Sequence, residues 1–420
     1  QGTESVALCL ASPKKIEVPS ESTLRQMIHG FEGMHAHAMQ ALAKVINRMD
    51  TEGLLESGVE PEQLHSALRV DSRYTCLFDS LLQLLRESDY LRQGGNGLLL
   101  WGTADHNVAL SDFENALLQD HYRLLTHCLK SYPEVLRGEY PATDLLFEGR
   151  ASQYVKNIYQ GNVTADYFNQ VLARLIAGVE CDSMTEPIRI LEFGAGTGGT
   201  TETVLKALRE SGLAGKVSYS FTDISQAFIN EAKARFEQDY PFVTYQVLDI
   251  EKATAPQGFE PESYDLVLGA NVLHATRDIV VVLQRLKRLM KSKGHLILNE
   301  ATNSQFFTTM TFGLLEGWWQ FEDSVWRLPG GPLLSMPDWK AILQLTGFQN
   351  PMAFGLSTHD GIDLGQHVIV SQNDGWCLKT EAQVSETIPT NTDEPKVDAV
   401  PSVSKTTDQP IQAALEVGLS

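Results

Sequence analysis

The sequence predicts an α/β protein built on a seven-stranded, mostly parallel, Rossmann-like sheet. Short apolar runs alternate with helical patterns between residues 188 and 371, which is typical of strand–helix–strand units. The first run leads directly into a glycine-rich turn at residues 194–199. A helical pattern begins at Thr200, so this turn lies where open α/β sheets bind nucleotide-like ligands.

The predicted strands are apolar runs bounded by turn residues. They cover residues 188–193, 217–222, 243–247, 264–269, 295–299, 352–354 and 367–371. An aromatic-rich stretch at residues 306–339 separates the fifth strand from the sixth and predicts an inserted lid.

The remainder of the chain predicts a second domain and flanking segments. Helical periodicity dominates residues 21–140, where we expect a lid or substrate domain. Its first helix would be capped by Ser20 or Ser22 and run through Met49. Further helices are predicted over 64–68, 74–91 and 113–132, with a small hairpin near residue 97. Residues 141–180 bridge it to the sheet domain at 181–376. Residues 1–20 are expected to be a linker. Residues 377–420 are acidic and lack aromatic residues after position 380, which predicts a disordered linker.

Composition excludes several classes of partner. A net charge of −20 disfavours nucleic acid and anionic membranes. Five dispersed cysteines, no signal peptide and no transmembrane run favour a reducing, cytoplasmic location. His29, His35 and His37 have no acidic or cysteine partner at ligand spacing, so packing is expected there and no metal site.

The glycine turn resembles motif I of class I S-adenosylmethionine-dependent methyltransferases. Glu192 precedes Gly194, Gly196 and Gly198 in an E-x-G-x-G-x-G pattern. The competing interpretation is a dinucleotide dehydrogenase, which expects G-x-G-x-x-G and an acidic residue after the second strand. The resemblance implies a class I methyltransferase fold and S-adenosylmethionine as methyl donor, with S-adenosylhomocysteine as product. It also implies that these four residues contact the cofactor.

Three later strand ends match the same family pattern. The resemblance implies that Asp223 binds the ribose hydroxyls and that Asp249 and Ile250 border the adenine. Residues 264–274 resemble motif IV, which implies that Asn271 lies beside the methionine portion. The alternative for each aspartate is a helix N-cap or turn residue.

A closer resemblance covers most of the chain. Residues 268–276, 298–300 and 313–319 resemble the C-methyltransferase domains of fungal iterative polyketide synthases. The helical N-terminal half and the acidic tail are similar to those of non-reducing synthases of the citrinin-synthase type. The resemblance implies methylation of the α-carbon of a β-ketoacyl thioester. Its partners would be an acyl carrier protein with phosphopantetheine and other synthase domains of the same polypeptide.

Such chemistry requires a base, because the α-carbon must lose a proton. His274 follows the fourth strand and Glu300 ends the fifth, and neighbouring strands lie about 5 Å apart. We therefore expect the two side chains to meet, with the carboxylate orienting the imidazole. The resemblance implies the same catalytic pair. The alternatives are a backbone-bonded His274 at a helix entry and a Glu300 that caps the next helix.

Aromatic side chains are the candidate substrate contacts. Tyr154, Tyr159, Trp318 and Trp319 are expected near the substrate, although packing is the alternative for each. Arg327 is expected to be a solvated cation. Two other functions remain open at this point: a small-molecule O-methyltransferase, and a non-catalytic docking module of a synthase.

Overall fold

The computed structural model describes residues 7–8, 16–105, 113–180 and 186–376. The linker predicted at residues 377–420 lies outside the described residues, as does most of the linker predicted at 1–20. Within the latter, β1 (Ala7–Leu8) pairs with residues 179–180.

Helices dominate the described chain before residue 178. They are α1 (Glu21–Met49), α2 (Leu54–Ser57), α3 (Pro61–Ala67), α4 (Thr75–Glu87), α5 (Gln119–Lys130), α6 (Tyr132–Leu136), α7 (Ala142–Phe147), α8 (Gly149–Tyr159) and α9 (Val163–Ala177). Of the two predicted caps, Ser20 is the one that begins α1, because its side chain accepts the Thr23 backbone N–H, as N-cap residues do.

A small hairpin interrupts the helices where the turn near residue 97 predicted it. Strand β2 (Leu91–Gln93) pairs with β3 (Leu99–Trp101) in antiparallel register. The helix predicted over 74–91 therefore ends earlier, at Glu87. A further short strand, β4 (Val179–Glu180), follows α9.

The second half alternates strands and helices. In order, these elements are β5 (Ile188–Glu192), α10 (Gly199–Glu210), β6 (Val217–Asp223), α11 (Gln226–Phe236), β7 (Val243–Val247), β8 (Tyr264–Ala270), α12 (Ile279–Leu289), β9 (Met290–Ala301), α13 (Phe306–Met310), α14 (Met336–Leu345), β10 (Phe348–Ser357) and β11 (Asp363–Asn373). Seven of these strands form one sheet in the order β10-β11-β9-β8-β5-β6-β7. Strands β9, β8, β5, β6 and β7 are parallel, and β11 is antiparallel to β9 and β10. The predicted seven-stranded, mostly parallel sheet is confirmed.

Strand alternation places apolar side chains on both faces of the sheet. In β5, Ile190 belongs to a buried cluster with α9, α10 and α11, whereas Leu191 belongs to a second cluster with α12 and α14. The sheet is thus covered on both faces, and only its edges and strand ends remain for a ligand.

The helical half has its own core, which includes part of the aromatic stretch. Phe307, Met310, Phe312 and Trp318 are buried in the same cluster as side chains of α1, α4 and α5. The segment after β9 therefore connects the carboxyl edge of the sheet with the helical half. No helix within the described residues combines the length and apolar character that a membrane crossing requires.

Candidate active site

A cavity of about 910 Å³ lies at the carboxyl edge of the sheet, between this edge and the helical half. Five residues from strand ends predicted as site residues line it: Glu192, Gly194, Gly196, Asn271 and His274. Its opposite wall comes from the helices and the segment after β9. Side chains on that wall include Phe31, His121, Tyr159, Phe306, Phe307, Phe312 and Trp318.

The backbone of the glycine turn adopts a left-handed conformation that residues with a side chain rarely adopt. Gly194, Gly196 and Gly198 have φ values of 58°, 53° and 74°. A Cβ at position 194 would lie 2.6 Å from the Val272 side chain, so this glycine is required by close packing. A Cβ at position 196 would have no neighbour closer than 4.0 Å and would project into open space. Gly196 therefore leaves room for a ligand against the backbone.

Glu192 lies beneath this turn and is 1% exposed. Its Oε2 accepts hydrogen bonds from the Thr201 and Tyr219 hydroxyls, both at 2.7 Å. Burial raises the pKa of Glu192 to about 7, against the two donors that lower it. The carboxyl group thus ties β5 to α10 and β6, while the residue also borders the cavity.

Asp223 joins the end of β6 to the glycine turn. Its Oδ2 accepts the Gly196 N–H at 2.9 Å and its Oδ1 accepts the Ser225 N–H at 2.8 Å. Burial raises the pKa of this carboxyl, although the backbone donors lower it. Neither Asp223 nor Gly198 lines the cavity.

Asp249 and Ile250 follow β7 and do not line the cavity. The Asp249 carboxylate accepts the Glu251 N–H at 2.9 Å and lies 3.0 Å from the Lys252 ammonium group. Ile250 is buried in the core beneath the sheet. Neither residue lines the cavity, and Asp249 makes the turn contacts that were its alternative interpretation.

Asn271 fixes the end of β8 to that of β9. Its φ is 53°, its N–H donates to the Asn299 carbonyl at 2.7 Å, and its Oδ1 accepts the Ala301 N–H at 3.1 Å. An asparagine tolerates this left-handed conformation better than most residues. The bend turns the following residues toward the cavity.

His274 and Glu300 meet at this edge. His274 lies in the short turn Leu273–Ala275, and its Nδ1 is 2.6 Å from Glu300 Oε2. The other oxygen, Oε1, accepts the backbone N–H groups of Val272 and Leu273 at 3.1 and 3.0 Å. Glu300 is fully buried, so three donors surround a carboxylate that has no contact with water. The turn that Glu300 caps is the one that carries His274, not the helix that follows Glu300.

Arg327 holds the same turn from the other side and is not the solvated cation that was predicted. Its side chain is 1% exposed. The guanidinium group donates to the carbonyls of His274 and Thr276 at 2.7 and 2.8 Å, and to Asp323 at 2.6 Å. Asp323 in turn accepts the Ile279 N–H at the start of α12. A buried, fully paired arginine thus fixes the backbone of His274.

The four aromatic candidates separate into two pairs. Tyr159 and Trp318 line the cavity, and the Trp318 ring packs edge-on against the His274 imidazole with centroids 5.5 Å apart. Tyr154 and Trp319 do not line it. Trp319 instead donates its indole N–H to the Gly313 carbonyl, and Tyr154 packs on the helical core. Neighbouring positions 318 and 319 point apart, so only one indole can reach the cavity.

The charges around the cavity have one sign. Its described lining contains the acidic residues Glu32, Glu87, Glu192 and Asp363 and no lysine or arginine. Such a lining attracts cations and offers no counter-charge to a phosphate. The described part of the chain contains no cluster of histidine, cysteine and acidic side chains that could hold a metal ion.

Comparison with known proteins gives the family. A family profile described as "Methyltransferase domain" matches residues 191–296. The polyketide synthase ThaQ of Burkholderia thailandensis is 35% identical over 372 residues, which are 82% of this chain and 17% of that protein. The crystal structure of the DszA carbon methyltransferase is 35% identical, with a TM-score of 0.77, and the match covers 86% of this chain and 95% of that one.

The chain belongs to the methyltransferase domains of polyketide synthases. The citrinin synthase methyltransferase domain shares the fold with a TM-score of 0.67, covering 86% of this chain and 98% of that one at 22% identity. The chain spans only a small part of the synthases it matches, 17% in the case of ThaQ. Polyketide synthase methyltransferase domains use S-adenosylmethionine, so this is the methyl donor.

The residues of this polyketide synthase domain suit that donor. The open space above Gly196 allows a ligand to approach the backbone, and the lining free of lysine and arginine suits a sulfonium cation. The signal for this site was visible in the sequence because glycine spacing encodes backbone conformation.

Two other features of the domain left no signal in the sequence. The buried role of Arg327 depends on carbonyl groups about 50 residues away, at His274 and Thr276. The cavity-facing position of His121 depends on how α5 packs against the segment after β9.

Proposed function

We propose that this domain methylates the α-carbon of β-ketoacyl thioesters carried on the phosphopantetheine of an acyl carrier protein. His274 acts as the base and Glu300 orients it. The observation that carries the proposal is the buried carboxylate of Glu300, which has one oxygen on His274 and the other on the backbone of the same turn. A carbon acid needs a base of this kind, whereas binding alone does not.

The hydrogen bond to Glu300 determines which imidazole nitrogen is free. An ionised carboxylate only accepts hydrogen bonds, so Nδ1 of His274 carries the proton and Nε2 keeps its lone pair. None of the described residues hydrogen-bonds to Nε2. Because His274 lines the cavity, Nε2 is available to take the α-proton of a substrate.

The surrounding groups favour proton transfer in that direction. The imidazolium formed on His274 would be stabilised by the negative charge of Glu300. Arg327 and the Val272 and Leu273 N–H groups hold both partners in place, so little reorganisation is needed. Trp318 covers the imidazole and helps to exclude water. When bound, S-adenosylmethionine supplies the electrophilic methyl group.

We assign the donor site to the carboxyl ends of β5 to β8. Glu192, Gly194, Gly196 and Asn271 would form the side nearest the cavity, and Gly198 would contribute as part of the same glycine turn. Asp223 would bind the ribose hydroxyls, because each of its oxygens keeps a lone pair beyond its backbone bond. Asp249 and Ile250 would border the adenine only if the backbone after β7 moved, since neither lines the cavity.

The wider context stays a prediction. We predict that the chain comes from a fungal non-reducing synthase of the citrinin type, and the likeness to that type is one of fold. The bacterial synthase ThaQ matches this chain at a higher sequence identity. The carrier protein, the neighbouring synthase domains, the cytoplasmic location and the domain boundaries at residues 140 and 180 likewise rest on the sequence.

One incubation tests the proposed reaction. The protein is mixed with S-adenosylmethionine and β-ketoacyl-N-acetylcysteamine thioesters of graded chain length, and the products are identified by mass and by NMR. We expect one methyl group on the α-carbon. Methylation of oxygen in free phenols or acids would identify an O-methyltransferase instead. Absence of donor binding in calorimetry would favour a non-catalytic docking module.

A further inference from the structure

His121 is an imidazole in an apolar wall with no polar partner. It lies on α5 and lines the cavity on the side of the helical half. The Phe31 ring packs edge-on against it at 5.6 Å between centroids, and the Phe307 ring lies at 5.0 Å. No described residue donates a hydrogen bond to His121 or accepts one from it.

The surroundings of His121 keep its imidazole neutral. Burial lowers the pKa of His121 to about 4, and the neighbouring Asp120 only partly opposes this shift. At neutral pH the ring is therefore uncharged, with one N–H donor and one acceptor nitrogen, both without a protein partner. The His121 ring is partly exposed and lines the cavity, so these two groups are accessible to a ligand that enters the cavity.

A row of aromatic rings connects His121 with the proposed catalytic pair. The ring centroids of Phe307 and Phe312 are 6.5 Å apart, and those of Phe312 and Tyr159 are 5.9 Å apart. Tyr159 is close enough to Glu300 that the carboxylate helps burial to raise its pKa. His121 thus stands at the far end of an apolar wall that begins beside Glu300 and His274.

We propose that His121 hydrogen-bonds a hydroxyl or carbonyl oxygen on the acyl chain, several carbons beyond the carbon that is methylated. The aromatic wall accepts the hydrocarbon between these two points, and His121 selects chains with an oxygen at the right distance. This inference rests on the proposed function, because it takes the acyl chain to be the occupant of the wall. A neutral imidazole both donates and accepts, so either oxygen type can bind.

The test compares the binding of matched substrates without requiring turnover. Pairs of β-ketoacyl-N-acetylcysteamine thioesters of equal length, with and without one hydroxyl at graded chain positions, are titrated calorimetrically in the absence of donor. We expect the hydroxylated member to bind the wild-type protein about tenfold more tightly at one position of the series. The H121L variant should reduce this ratio of Kd values to near one, and H121Q should restore part of it through its amide N–H.

A matched control keeps the outcome specific. His35 also lines the cavity and packs edge-on against Phe306 at 4.9 Å, so H35L removes an imidazole from the same cavity and should keep the tenfold ratio. Circular dichroism checks that each variant is folded. The inference is overturned if H121L keeps the ratio, if H35L alone abolishes it, or if no hydroxyl position is preferred by the wild-type protein. A failure of methyl transfer would instead contradict the proposed function, because the Kd ratios are measured without it.

Discussion

Two buried glutamates stand on either side of β8, and their surroundings differ. Glu192 ends β5 and Glu300 lies near the end of β9; they are 1% and 0% exposed. Glu192 accepts two side-chain hydroxyls, and burial raises its pKa to about 7. Glu300 accepts two backbone N–H groups and contacts an imidazole.

The difference shows how one residue type at equivalent strand ends serves two purposes. Hydroxyl donors allow a carboxyl group to be protonated or ionised, so Glu192 acts mainly as a connection between β5, β6 and α10. Backbone N–H donors can pair only with an acceptor oxygen, and this fixes the orientation of the Glu300 carboxyl group beside the imidazole. Glu300 is therefore suited to orient a base, and Glu192 is suited to hold the glycine turn in place.

The largest expected effect follows from removing the base. In H274A, methyl transfer should fall by about 10³-fold or more, because no other cavity residue is held by a carboxylate in this way. Binding of S-adenosylmethionine should change by less than about threefold, since the glycine turn is intact. Single-turnover assays and calorimetry measure the two quantities. Loss of donor binding in H274A would identify His274 as a cofactor contact.

The next effect distinguishes the two glutamates. In E300Q, the amide would donate to Nδ1 of His274, which moves the imidazole proton to Nε2 and blocks it as a base. We expect kcat to fall by about 10²-fold or more, as for the wrong histidine tautomer in other pairs. The same substitution at Glu192 leaves that tautomer unaffected. The fall in kcat should therefore be at least about tenfold smaller in E192Q than in E300Q. Equal losses would contradict the comparison.

The pH dependence of stability tests the Glu192 side. Its pKa rises from 4.5 to about 7 on folding, so the unfolded chain loses its proton first as the pH rises. The free energy of unfolding of the wild type, relative to E192Q, should fall by about 3 kcal/mol between pH 4 and pH 8. Urea unfolding of both proteins at these pH values measures the difference. A constant difference would show that folding leaves the pKa of Glu192 unchanged.

The smallest effect concerns the two aspartates of the donor side. Asp223 holds Gly196 of the glycine turn, whereas among the described residues the Asp249 carboxylate contacts its own turn and Lys252. D223N should weaken donor binding by about tenfold, and D249N by less than about threefold. Calorimetric titration of S-adenosylmethionine gives both values. A larger loss in D249N would place the adenine beside β7 after all.

The sequence predicted the sheet well because strand periodicity is a local property. The seven strands, the glycine turn and the meeting of His274 with Glu300 all follow from which residues end neighbouring strands. The helical half was less predictable. Its core includes Phe307 and Phe312, which lie far along the chain from α1 and α5 and whose packing no local pattern encodes.

Tertiary contacts also decide where several candidate residues lie. Arg327 resembles any surface cation in the sequence, and only folding brings it to the carbonyls of His274 and Thr276. Tyr154 and Trp319 are aromatic like Tyr159 and Trp318, and their orientation depends on tertiary packing. Asp249 resembles a ligand-binding residue because turn residues and ligand contacts use the same side chain.

The central claim is that His274, oriented by Glu300, removes the α-proton. It is tested most directly by following exchange of the α-hydrogens of a β-ketoacyl-N-acetylcysteamine thioester into D₂O, by NMR, with S-adenosylhomocysteine present and the protein-free rate subtracted. We expect exchange above background for the wild type, and none above background for H274A or E300Q. Exchange in H274A at the wild-type rate would contradict it.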